Sequence, residues 1–206
     1  MSADHSGIIA EDWYLYMDHL SGGDNVINFS FRRKGMSKKE RKYIKGVLKE
    51  ISEWTDITFK KTSKKEDDIR FISKKDITPT TRLEVEDITA PGDTEDAVIG
   101  RASARNNRFK VFWRDDDDDV SRLEKYALQH EIGHVLGLGH PGGVGNNPDY
   151  TVKDTIMSYN CFDNEGRFMY YGYTNMDKEA LRELWGAHPV GLDSVDSIDF
   201  PDGLFG

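Results

Sequence analysis

The chain holds one cysteine, Cys161, in 206 residues. A lone thiol cannot close an intrachain disulfide, so a small stapled scaffold is excluded and the fold must rest on its core. No apolar run approaches the roughly 20 residues that a membrane-spanning helix needs. Residues 1–10 carry Asp4 and His5 and have neither a basic start nor a long apolar centre, so they do not read as a secretory leader. What is present, 37% hydrophobic and 32% charged residues, describes one soluble, rather polar domain with a modest appendage.

The net charge of −9 is segregated. Residues 32–49 carry nine basic side chains, and Lys60, Lys61, Lys64 and Lys65 follow; residues 115–119 are all aspartate, and Asp193, Asp196, Asp199 and Asp202 make the end of the chain acidic. The basic stretch surrounds Ile44, Val47, Leu48, Ile51 and Trp54 at helical spacing. It therefore reads as the solvated face of an amphipathic helix rather than a nucleic-acid or membrane contact. Contiguous aspartates lack the alternating geometry of a calcium loop. They read as a solvated loop in which Asp119 favours the positive end of the next helix.

The chemistry is concentrated in His130-Glu131-Ile132-Gly133-His134-Val135-Leu136-Gly137-Leu138-Gly139-His140-Pro141. On a helix, His130 and His134 emerge from one face a turn apart. Glu131 stands beside the first histidine, placed to hold a water at a metal without being a ligand. Gly137 lets the chain leave the helix through a left-handed conformation, and His140 can swing back as third ligand. Five fixed positions arise by chance roughly once in ten thousand such chains. Ser121 and Glu124 form an S-x-x-E capping box that starts the helix at the right place. Three neutral imidazoles suit Zn²⁺ and leave an open coordination position. With Glu131 as general base, the set points to hydrolysis of internal peptide bonds. His5, His19 and His188 have no metal-ligand spacing and receive no role.

The pattern H-E-x-x-H-x-x-G-x-x-H resembles that of the metzincin metalloproteases. Thr155-Ile156-Met157-Ser158-Tyr159 is similar to their methionine turn, and Pro141 together with Met157-Ser158-Tyr159 narrows the resemblance to the serralysins. The resemblance implies an α+β, zincin-like catalytic domain with a twisted, mostly parallel mixed sheet, an active-site helix and a C-terminal helix. It implies zinc held by His130, His134 and His140, with Tyr159 as an exchangeable extra ligand and a donor to the tetrahedral intermediate, a role that suits a phenol. The expected elements are strands near residues 26–31, 57–59, 68–71, 97–104 and 109–113, a helix over 37–54 and a last helix from Asn175 through Gly186. By that analogy 97–104 is the sheet edge along which substrate lies extended.

Departures accompany the likeness. The Gly-Gly-x-Gly-x-Asp calcium repeats usual in serralysins are missing; residues 142–147 imitate one unit, with asparagine for aspartate, and read as a flexible loop over the cleft. Residues 22–187 are expected to be the catalytic domain, 1–21 an N-terminal extension or short prosegment in which Asp4, His5, Asp12 or Asp18 could reach the metal, and 188–206 an acidic tail. Cys161 is expected as a buried or pocket-lining thiol, and residues 160–167 as the shapers of the S1′ pocket. The expected partners are a protein or peptide substrate and, for a selective effector or toxin-type protease, a proteinaceous inhibitor; neither nucleic acid nor membrane is implied, and a monomer is. Export without an N-terminal signal is the expected route, with a cytoplasmic location left open. The competing reading is a catalytically silent binding protein of the same fold, against which the intact Glu131, histidines and Tyr159 argue.

Overall fold

Period-two alternation of apolar and polar residues builds the strands. A computed structural model describes residues 5–32, 35–74, 85–89, 98–115 and 119–187, with 85–89 as backbone. Strands β1 (Val26–Phe31), β2 (Thr58–Lys61), β3 (Ile69–Lys74), β4 (Val85–Thr89), β5 (Val98–Ala104) and β6 (Phe109–Arg114) form one sheet in the order β2-β1-β3-β6-β5-β4. β2, β1, β3 and β6 are mutually parallel, whereas β5 runs antiparallel to both β6 and β4. Four α-helices complete an α+β architecture: α1 (Glu11–Ser21), α2 (Lys38–Trp54), α3 (Arg122–Val135) and α4 (Asn175–Trp185). The expected acidic tail lies outside the described residues, as do His188, Asp4 and residues 116–118 of the aspartate run.

The expected elements are present with shifted ends, and two were missed. One is α1. The other, β4, changes the sheet's margin: β4 pairs with β5 from Val85↔Ser103 to Thr89↔Val98. β5 is therefore flanked on both sides and is not the edge assigned to it. Val85-Glu86-Asp87-Ile88-Thr89 is too short and too acidic to announce a strand by itself; its pairing partner supplies what its own sequence lacks.

One face of the sheet is dry. Ile27, Phe29, Ile69, Phe71, Phe109, Val111, Trp113 and Ala102 point into the core with α2 and α3, each large side chain contributing about 1.5–3 kcal/mol by leaving water. Arg70, Lys74 and Lys110 alternate onto the other face, where Lys74 and Arg101 stand 4.7 and 4.9 Å from the Phe112 ring. α2 is anchored at its start by Glu40. Its buried carboxylate accepts from Ser37 N at 2.5 Å in a capping box and from Trp113 Nε1 of β6 at 2.9 Å. Burial raises the Glu40 pKa, against the pull of those donors.

Gly46 sits in mid-α2, exposed, and nothing lies within 4 Å of where a Cβ would be. A mid-helix glycine costs about 1 kcal/mol relative to alanine. Gly46→Ala is therefore expected to raise Tm by about 2–4 °C in a thermal melt of a domain this size; an unchanged or lower Tm would mean that the position is constrained by something within the chain.

Candidate metal centre and active site

The site begins with a cap. Ser121 Oγ accepts from Glu124 N at 3.2 Å and the Glu124 carboxylate accepts from Ser121 N at 2.6 Å, which starts α3 as the S-x-x-E spacing predicts. From Tyr126 to Val135 every residue of α3 is buried. His130, Glu131 and His134 are 0%, 0% and 2% exposed. At the end of the helix Gly137 turns with φ +100°, and a side chain there would strike Tyr14 and Leu184, with a Cβ 2.7 and 2.9 Å from their nearest atoms. Gly137 thus serves both a left-handed turn and the close approach of α1 and α4. Trp185 Nε1 donates to Leu136 O at 2.8 Å and so closes one orphan carbonyl of α3.

The return to His140 is held by the start of the chain. Ala10 N donates to Gly137 O at 2.8 Å and Gly139 N to Ile8 O at 2.7 Å, a short antiparallel bridge between Ile9 and Leu138. Trp13 then stacks on Phe109 at 5.3 Å and packs its ring 5.7 Å from that of His134. The described part of the N-terminal segment is thus built into the site's scaffold. Its His5 bonds Glu183 at 2.6 Å, and neither His5, Asp12 nor Asp18 joins the metal-capable group, which among the described residues consists of His130, His134 and His140.

The three rings converge. His130 Nε2 lies 3.0 Å from His134 Nε2 and 3.3 Å from His140 Nε2. His130 Nδ1 is 2.8 Å from Ile156 O and His134 Nδ1 is 2.8 Å from Leu138 O. A carbonyl only accepts, so both Nδ1 atoms carry the proton and both Nε2 atoms present lone pairs. Two such nitrogens cannot hydrogen-bond each other; they need an electrophile between them. Zinc–nitrogen bonds of about 2.0–2.1 Å in a tetrahedron place neighbouring nitrogens about 3.3 Å apart, so the residues fit this ion. Burial holds the pKa of all three rings below the ordinary 6.5, that of His140 at about 4, and the neutral form that a metal requires is the resting form.

The turn beneath the rings is held by α4. Thr155 Oγ1 donates to Asp177 Oδ1 at 2.5 Å, and Ile156 N to Asp177 Oδ2 at 3.0 Å. Asp177 also closes the capping box of α4, accepting from Thr174 N at 2.8 Å. Burial raises its pKa against these donors. The residue whose N–H Asp177 holds, Ile156, also presents its carbonyl to His130, so Asp177 orients that ring through one residue. Met157 packs under Gly133, where a Cβ would lie 2.8 Å from Sδ. Tyr126 OH donates to Ser158 O at 2.7 Å, joining the turn to α3. Tyr159 sets its ring 5.4 Å from that of His130 and 4.6 Å from that of His140. Residues 142–147, read as a free loop, are fastened there: Tyr159 N donates to Gly145 O at 2.8 Å, and a Cβ on Gly145 would sit 2.4 Å from the tyrosine ring. Cys161 is buried, its thiol raised to about 11 by desolvation.

Gly100 of β5 is a site residue that sequence reasoning passed over. A Cβ there would lie 2.8 Å from Glu131 Oε1 and 3.2 Å from Ala127. A glycine inside a strand signals such an approach. In the N-terminal segment the overlooked signal was Trp13, Met17 and Leu20 at helical spacing.

The α+β fold thus brings together three histidines, two of them buried, that could hold a metal ion, with a glutamate beside the first in sequence. No family model matches the chain. Serralysin A of Dickeya chrysanthemi is 38% identical over 80 residues, 34% of this chain and 17% of that protein. The chain thus spans less than a fifth of that relative's length, and the partial likeness, with the three-histidine group, points toward the metzincins and a zinc protease.

Two outcomes follow. Asp177→Asn should weaken zinc binding by about 10–100-fold, as loss of a ligand's support does, measured by competition with a chromophoric chelator; unchanged affinity would remove Asp177 from ligand positioning. The folded histidines stay neutral where unfolded ones, near 6.5, take up protons. Zinc affinity should hence stay level from pH 7.5 to 5, while the metal-free protein loses folding stability as pH falls through 6.5. Affinity that drops steadily from pH 6.5 would show the rings to be ordinary imidazoles.

Proposed function

We propose that the chain is a zinc-dependent endopeptidase with a metzincin-type catalytic domain similar to that of serralysins. The observation that carries this reading is the convergence of the Nε2 atoms of three histidines, with Glu131 next to the first in sequence. Zinc held by His130, His134 and His140 would polarise the scissile carbonyl and acidify a water beside it. Glu131 then takes a proton from the attacking water at its carboxylate and delivers it to the departing amine nitrogen, so that the peptide C–N bond breaks as the water's oxygen becomes part of the new carboxylate. The Tyr159 hydroxyl donates a hydrogen bond to the carbonyl oxygen as it gains charge; with zinc bound and no substrate it would be an exchangeable extra ligand. Gly100 keeps β5 clear of the Glu131 carboxylate.

The test is cleavage of casein and of a mixed peptide library by zinc-loaded protein, its chelated form and a Glu131→Gln variant. The parent alone should cleave, and the variant should keep its zinc while losing at least about 10²–10⁴ in turnover. Glu131→Gln that still cleaves, or a zinc-loaded parent that cleaves neither substrate, would overturn the proposal. Tyr159→Phe should lower kcat about 10²-fold with little change in KM, and Gly100→Ala should lower kcat while zinc content stays at one per chain; an equal rise in KM alone would place either residue in substrate binding.

A further inference from the structure

A second concavity lies on the other flank of α3. Lys125 and Gln129, four residues apart, face it, while His130 and His134 belong to the three-histidine group. This open groove, about 750 Å³, runs between α2, the start of α3 and the segment 170–173. Its floor is a hydrogen-bonded chain: Tyr43 OH meets Tyr170 OH at 2.8 Å, Tyr170 OH donates to Gln129 Oε1 at 2.8 Å, and Tyr173 OH donates to Gln129 O at 2.7 Å. Tyr171 stands on the rim, 59% exposed.

Three features of the groove point to a partner. The first is charge. In a chain of net charge −9 the lining has four lysines against two acids. Lys39 pairs with Asp119 at 3.1 Å and Lys178 with Glu50 at 3.9 Å, which leaves Lys42 and Lys125 without an ion pair among the described residues. The second is Gly46, which opens onto the groove. Mid-helix glycine weakens α2, and apart from the helix's own backbone nothing among the described residues lies within 4 Å of its missing Cβ. The close approach that would warrant a glycine has no counterpart within the described chain, as it would if a partner's backbone lay there. The third is position: Lys125 and Gln129 stand on α3, the helix that also carries His130 and His134.

We infer that this groove is a docking site for an acidic segment of the protein substrate, lying beyond the bond to be cleaved. Lys42 and Lys125 receive carboxylates. The tyrosine-lined floor and Tyr171 take an apolar side chain, since tyrosine offers large contact area at low entropic cost. The backbone passes over Gly46. The inference rests on the endopeptidase reading and narrows it: the chain prefers polypeptides with an acidic stretch to one side of the cut.

The experiment uses a peptide core taken from a bond that the enzyme cuts in casein, alone and extended at either end by a linker and a Glu-rich or a Gln-rich hexapeptide. The Glu-rich extension at one end should lower KM about tenfold in the parent, and the Gln-rich one should not. The double variant Lys42→Glu/Lys125→Glu should erase that advantage while cutting the bare core at the parental rate. Gly46→Leu should do the same from a fully folded protein. An advantage that survives in both variants, or none in the parent at either end, overturns the inference. Anisotropy of the labelled Glu-rich peptide on Glu131→Ala protein separates the two readings. Binding lost on Lys42→Glu/Lys125→Glu supports docking even if hydrolysis of the core fails, and that failure counts against the endopeptidase alone. Binding unaffected by the lysine changes counts against the groove.

Discussion

The convergence of His130 Nε2 with His134 Nε2 at 3.0 Å and with His140 Nε2 at 3.3 Å is the constraint around which the rest of the site is arranged. Two backbone carbonyls, Ile156 O and Leu138 O, hold the protons on the far side of the rings. Burial then disfavours a second proton on each ring. Neutral imidazoles so placed are the donor set that a divalent ion requires. Each carbonyl must itself be fixed, and each is: the first by Asp177 through the N–H of the same residue, the second by the bridge between Leu138 and Ile9.

Seen this way, α4 and α1 are parts of one device with α3. Asp177 is a helix cap and a turn clamp at once, its two oxygens divided between Thr155 on one side and Ile156 and Thr174 on the other. Such a buried carboxylate is tolerated because every oxygen is met by a donor. α1 contributes shape instead of charge: Tyr14 fills the space above Gly137, and Trp13 backs His134.

How much of this was legible in the residues depended on how local each signal was. The motif from His130 to Pro141, its Ser121–Glu124 cap and the turn at Met157 could be read because each is decided within a few residues along the chain. The strands of the core were readable from alternation, with ends shifted by up to three residues, because pairing rather than propensity decides where a strand stops. β4 was not readable: its strand character comes from β5 across a gap in sequence. The same holds for Gly100, whose significance lies in Glu131, 31 positions on, and for residues 8–14, whose partners are the turn at 137–139. Thr174 and Asp177 did carry a capping signature, with aspartate in place of the commoner glutamate or glutamine; its second task, at the methionine turn, has no local trace.

The bridge from Ile8 and Ala10 to Gly137 and Gly139 spans nearly two-thirds of the chain's length. A contact of such high order forms late, after the loop between its halves has been closed. His140 therefore takes its place beside His130 and His134 only once that loop has closed. For the peptidase proposed above, this ties chemical competence to a contact between distant parts of the chain.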